Sequence, residues 1–139
     1  MESINLNINV KTKPKCLNDI SQNISNYINN SEITNGLCTL FIKHTSASLV
    51  IQENADSAVL RDIESFFTRF ISEDEQLYEH NSEGPDDMPA HIRSLLTNTS
   101  LSIPIVNSKL ELGTWQGIYL YEHRNQSHNR IITISIIGK

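Results

Sequence analysis

The 139-residue chain has two cysteines, one tryptophan, no basic run and no long apolar stretch. Each shortage excludes something. Cys16 and Cys38 are isolated and form neither a CxxC pair nor a disulfide framework, the usage expected of reduced packing residues in the cytoplasm. No segment nears the ~18 apolar residues that a membrane span needs. The opening "MESINLNINVK" alternates and lacks the apolar block of a signal peptide. Eleven basic against sixteen acidic side chains leave a formal charge of −5, without the positive footprint that nucleic acid requires. There is no GxSxG elbow, Walker loop, GxGxxG turn or HExxH helix. Repeats and linkers are also missing. The expectation is one cytoplasmic domain over residues 1–139, long enough to bury a core unaided, with neither a membrane nor a nucleic-acid partner.

What is present is strong periodicity. Ile4, Leu6, Ile8 and Val10 alternate with Asn5, Asn7 and Asn9, the pattern of a half-buried strand. After Pro14, Leu17, Ile20, Ile24, Tyr27 and Ile28 recur at helical spacing, predicting a helix that ends near Asn29–Asn30. Asn35-Gly36 turns into "LCTLFIKH", an apolar strand ending at His44, and "SLVIQEN" follows as another. Asp56 is placed to cap a helix with a broad stripe of Val59, Ile63, Phe66, Phe67 and Phe70. The acidic stretch "SEDEQLYEHNSEGPDDMP" is too long to be an ordinary connection, and it leads into a helix bearing Ile92, Leu95 and Leu96. "LSIPIV", "KLEL", "GIYLYEH" and "RIITISII" read as late consecutive strands. These elements predict an α+β domain, a β-sandwich of mixed or antiparallel sheets with helices packed outside.

The polar residues cluster at element ends. His44 closes a strand and is followed by Thr45 and Ser46, whose hydroxyls suit a ligand. Pro89 fits the first turn of its helix, which puts His91 beside a helix start whose free N–H groups favour an anion. Asp86 and Asp87 are the competing occupants of that helix end. His44, His80 and His91 together have the donor chemistry of a three-histidine metal site with one open position, zinc being the ion such a set suits. Glu83, Asp87 and Glu122 would either orient those imidazoles or hold a hard cation such as magnesium. In "LGTWQG", Trp115 can stack on a flat ring and Gln116 can both donate and accept. Glu122 and His123 end one strand and point to opposite faces, so only one of them joins any single site.

"HTSASLVIQENAD", "YEHNSEGPDDMPAHIRSLL", "SLSIPI" and "LELGTWQGIYLYEHR", in that order, resemble the signature blocks of the YjbQ-like family, also labelled secondary thiamine-phosphate synthase. The resemblance implies a sandwich-type subunit that assembles as a homotrimer and binds a phosphorylated small molecule. It implies a weak transferase that condenses a pyrimidine diphosphate with a thiazole phosphate. The alternative is a non-enzymatic homotrimer that binds a metal or a phosphometabolite. On this resemblance His44, His80, His91, Asp87 and Glu122 are the catalytic candidates, and Thr45, Ser46, Asn54, Glu83, Trp115 and Gln116 the substrate contacts. The "DDMPAH" string leaves open which aspartate, Asp86 or Asp87, is the functional one.

Overall fold

The alternating N-terminus forms strand β1 (Glu2–Lys11), which pairs along its whole length with the last strand, β8 (Asn129–Gly138). The computed structural model describes residues 1–139 and contains eight strands and three α-helices. Strands β3 (Gly36–Ile42), β5 (Ser100–Val106) and β6 (Lys109–Leu110) complete a five-stranded sheet of order β1-β8-β3-β5-β6. Strands β2 (Leu17–Asp19), β7 (Gln116–Glu122) and β4 (Ala47–Glu53) form a second sheet of three. Every pairing is antiparallel, so the mixed option is not used.

The two sheets enclose one core. Cys38, Leu40 and Ile42 of β3 and Ile132, Ile134 and Ile136 of β8 meet Leu49, Ile118 and Leu120 from the opposite sheet. Burial pushes the Cys38 thiol up to about 11, so it packs as an apolar group and not as a nucleophile. Helix α1 (Ser21–Asn30) adds Ile24 and Ile28 to this cluster. It starts later than the periodicity predicts because the chain before it is drawn into the sheet: Leu17–Asp19 pair with Tyr121–Tyr119. The Ser21 hydroxyl then accepts the Ile118 amide at 2.8 Å and ties the helix start to β7.

Helix α2 (Ser57–Phe70) is capped as expected, with Asp56 Oδ1 accepting the Ala58 amide at 2.9 Å. Its apolar stripe differs from expectation, since no α2 residue is buried and Phe66 and Phe70 are 50% and 66% exposed. The helix instead roofs a cavity of about 500 Å³ lined by Val50, Ile63, Phe66, Phe67 and Tyr121. Helix α3 (Asp87–Leu96) lies against β4, and the Ser94 hydroxyl reaches the Ala47 carbonyl at 3.3 Å. The acidic stretch before α3 holds only a 3₁₀ turn at Glu75–Leu77. No helix is long and apolar enough to cross a membrane.

Leu40 is fully buried between the sheets. Leu40→Ala should lower unfolding stability by about 2–5 kcal/mol, the range for a large-to-small core change, measured by urea denaturation.

Candidate metal centre

The site is built where β7 ends. Glu122 is fully buried between the sheets and accepts from Arg130 Nε at 2.8 Å, Thr12 Oγ1 at 2.7 Å and the Arg124 amide at 3.1 Å. Burial alone would raise its carboxyl. The hydrogen bonds from Arg130 and Thr12 outweigh that and hold it below the ordinary carboxylate range. Glu122, expected among the catalytic residues, is therefore held in a buried ion pair with Arg130 and lies outside the His80–Asp87–His91 cluster. Its neighbour His123 points to the opposite face, as predicted, and shares a 2.9 Å hydrogen bond with Ser48. Burial pushes the His123 ring down to about 3, so it is neutral.

Arg124, next along the chain, reaches out of the sheet to the start of α3. Its Nε donates to Asp86 Oδ2 at 2.8 Å, its Nη1 to Asp87 Oδ1 at 2.7 Å and its Nη2 to the Glu83 carbonyl at 3.0 Å. Gly84, at φ +101°, provides the backbone turn that presents this carbonyl. The clamp separates the two aspartates. Asp86 is held by Arg124 and the Asn125 amide, while Asp87 keeps Oδ2 free of Arg124 and turned towards the histidines. Asp87 is thus the aspartate of the site. The Ala90 amide expected in the anion cradle is already taken, donating to the Asp86 carbonyl at 3.0 Å, and the competing cap is not used either, since Asp86 makes no side-chain cap.

Three donors converge here. His80 Nε2 lies 2.7 Å and His91 Nε2 3.3 Å from Asp87 Oδ2, and all three ligand atoms lie within 4.8 Å of one another. The two rings meet edge to face with centroids 5.5 Å apart. Glu83 Oε2 stands 2.9 Å from His80 Nε2 on the solvent side. His91 Nδ1 lies 3.0 Å from the Thr45 carbonyl and donates to it, so in the neutral ring the lone pair sits on Nε2, facing Asp87. The hydrogen bond to Asp87 raises the His80 pKa. For Asp87, burial works upward, but His80, Arg124 and His91 outweigh it and keep the carboxyl ionised.

His44 is not in this group. Its Nε2 accepts the Ile131 amide at 2.8 Å, so the expected three-histidine set is replaced by two histidines and one aspartate. Burial, then the charge of Arg130, lowers its pKa. His44 and His91 nevertheless line one cavity of about 450 Å³, together with Lys43, Thr45, Ser94 and Thr99. Ser46 faces inward and accepts from Arg130 Nη2 at 3.0 Å.

The remaining predicted contacts sit elsewhere. Asn54 Nδ2 donates to the Thr114 and Gln116 carbonyls, and Gln116 Oε1 accepts the Gly113 amide, so both brace the turn into β7. Trp115 projects from that turn and is 63% exposed. In the β4–β7 ladder Glu53 pairs with Gln116 and Ala47 with Glu122, which puts this turn a full strand length, roughly 20 Å, from the histidines. No site role was read from the sequence for Arg124 or for the buried Arg93–Glu64–Tyr121 network. Arg93 Nη1 reaches Glu64 Oε1 at 2.6 Å, and the Tyr121 hydroxyl donates to the same oxygen at 2.9 Å.

An antiparallel sandwich with a two-histidine, one-carboxylate cluster at one end defines a small β-rich protein with a candidate metal centre. The chain belongs to the UPF0047 YjbQ-like protein family, whose model matches residues 6–139. It is 50% identical over 130 residues to a UPF0047 protein of Synechocystis sp., covering 94% of this chain and 88% of that one. To the UPF0047 protein YjbQ of Escherichia coli O157:H7 it is 46% identical over 104 residues, 75% of each chain. A crystal structure of a YbjQ-like protein of unknown function from Sulfolobus solfataricus P2 superposes with a TM-score of 0.86 at 28% identity, covering 99% of both chains.

The transferase expectation does not stand. The relatives carry only the UPF0047 designation, and the Sulfolobus protein is described as of unknown function. The geometry gives a physical reason as well. Arg124 is spent on two aspartates, and the only exposed tryptophan lies at the other end of the sheet.

Glu64, like Glu122, is held below its ordinary 4.5: burial raises it, but hydrogen bonds from Arg93, Thr68 and Tyr121 prevail. Both carboxylates therefore stabilise the fold above the unfolded value, and that contribution is lost as pH falls through the lowered folded values. His123 is held neutral to about 3, while the unfolded ring titrates near 6.5. The thermal unfolding midpoint should therefore begin to fall below about pH 6.5 and fall more steeply below about pH 4.5, where the two carboxylates add their loss. Glu122→Ala, which strands Arg130, should cost about 3–5 kcal/mol at neutral pH.

Proposed function

We propose that this protein binds a divalent transition-metal ion through His80 Nε2, Asp87 Oδ2 and His91 Nε2, beside a cavity that His91 also lines. The single observation that carries this reading is the convergence of those three donors within 4.8 Å. Two imidazoles and one carboxylate suit zinc, iron, cobalt or nickel. Magnesium, which prefers oxygen ligands, fits this set poorly. The supporting shell is of the kind metal ligands need: the Thr45 carbonyl sets the His91 tautomer, and Arg124 holds the other oxygen of Asp87. Bound there, the ion supplies a Lewis acid. The chain's own contribution is to orient the donors and leave one side open.

The ligand of such a centre is a phosphorylated small molecule, whose charged oxygens complement an exposed cation. The reading includes assembly as a homotrimer. Leu37, Phe41, Val106 and Ile137 support association, since all four are large, exposed and on the outward face of the five-stranded sheet, where Leu37 pairs directly with Ile137.

Isothermal titration of metal-free protein with zinc should give one strong site per chain. His91→Ala and Asp87→Ala should each weaken it by at least about tenfold, the scale of a lost ligand or its support, while Trp115→Ala leaves it unchanged. Equal affinity in the His91 variant overturns the centre. Light scattering on the eluting protein should give about three times the 15.8 kDa chain mass, and a monomer at micromolar concentration removes the trimer.

A further inference from the structure

The histidine excluded from the metal cluster has a more specific task. His44 Nε2 accepts a hydrogen bond from the Ile131 amide at 2.8 Å. An amide N–H can only donate, so this nitrogen carries no proton. In the neutral ring the proton must then sit on Nδ1. Nδ1 has no partner in the chain and is not sealed from solvent. The backbone of β8 thereby fixes one tautomer and leaves a single, oriented N–H donor on a ring that lines the cavity.

The other cavity residues have matching chemistry. His91, one of the three proposed metal ligands, lines the same space. Thr45, Ser94 and Thr99 contribute hydroxyls, and Lys43 a positive charge at the exposed strand end. No carboxylate lines this cavity, although the chain as a whole is acidic. A space with a cation edge, one fixed N–H donor, hydroxyls and an ammonium group is complementary to an oxyanion.

We infer that His44 is the specificity donor of this site: its Nδ1–H hydrogen-bonds an oxygen of a phosphate or carboxylate ligand whose second oxygen occupies a free position on the metal. This rests on the metal-centre reading and assigns His44 a role distinct from that of His80, Asp87 and His91. A cationic ligand would face like charge at Lys43 and a purely apolar one would leave the N–H unpartnered, so both are rejected.

The test uses cobalt(II), whose visible absorption reports its coordination. Cobalt alone, titrated into the full-length protein, reads the metal centre. Inorganic phosphate and acetate, added separately to the cobalt-loaded protein, read the inferred oxyanion site. The expected result is a saturable spectral change with at least one of the two anions. Phosphate alone assigns a phosphoryl group, acetate alone a carboxylate, and either result supports the inference. His44→Gln keeps an amide oxygen for the Ile131 N–H but lacks the Nδ1 donor. It should bind cobalt as the parent does and bind the anion about tenfold to a hundredfold more weakly, the worth of one hydrogen bond to a charged group.

A second measurement needs no variant. Nitrogen-15 shifts of the His44 ring in zinc-loaded protein should show a protonated Nδ1 and a bare Nε2. Cobalt binding without any anion response overturns the inference and leaves the metal centre standing. So does an unchanged anion affinity in His44→Gln, or a ring protonated at Nε2. Failure to bind cobalt overturns both readings together.

Discussion

A carboxylate buried between two sheets organises one end of this protein. Glu122 would be costly to hide as an ion, and it is kept ionised only because Arg130, Thr12 and a backbone amide all point at it. That pair joins the end of β7 to β8 across the core. With the strand end fixed there, the next residues are fixed too: His123 is turned to the α3 side to meet Ser48, and Arg124 is aimed at the start of α3. The placement of the His80–Asp87–His91 cluster is thus downstream of a structural ion pair that touches none of the three.

Arg124 converts that position into chemistry. Two adjacent aspartates at a helix start would ordinarily compete for the same capping job, and here a single guanidinium sorts them. Asp86 is bound by Arg124 and by the Asn125 amide. Asp87 offers one oxygen to Arg124 and the other to His80 and His91. The exposed acidic loop is tied to the same point through the Glu83 carbonyl, which is why a stretch without regular structure can still deliver His80 to a defined place. The three donors come from one loop and one helix. Only the supporting contacts, Thr45 and Arg124, come from elsewhere, from the segments that follow β3 and β7.

The wide separation of the polar residues has a simple cause. Asn54, Trp115 and Gln116 are dense in chemistry along the chain, but β4 and β7 run antiparallel over their full length, so their turn lies at the end opposite Thr45 and Glu122. A single site drawn from both groups within one subunit is ruled out by strand length. The apolar stripe of α2 is a related case. Its period is helical and its cap is correct, yet it covers an open cavity and keeps Phe66 and Phe70 exposed.

Local pattern determined a good deal by itself. Alternation specified β1, apolar runs next to turn signals specified β3 and β8, the Asp56 cap specified the start of α2, and opposed side chains on β7 separated Glu122 from His123, because each depends only on local pattern or on bonds between near neighbours. His80, Asp87 and His91, which converge in the fold, were each singled out along the chain and lie within twelve positions of one another. What tertiary structure alone decided was their grouping. His44 was excluded by an amide 87 positions away, Glu122 was taken by Arg130, and Asp87 was chosen over Asp86 by Arg124. Each of those choices is a hydrogen bond between residues that only strand pairing brings together, and no spacing along the chain encodes which acceptor a buried donor will find.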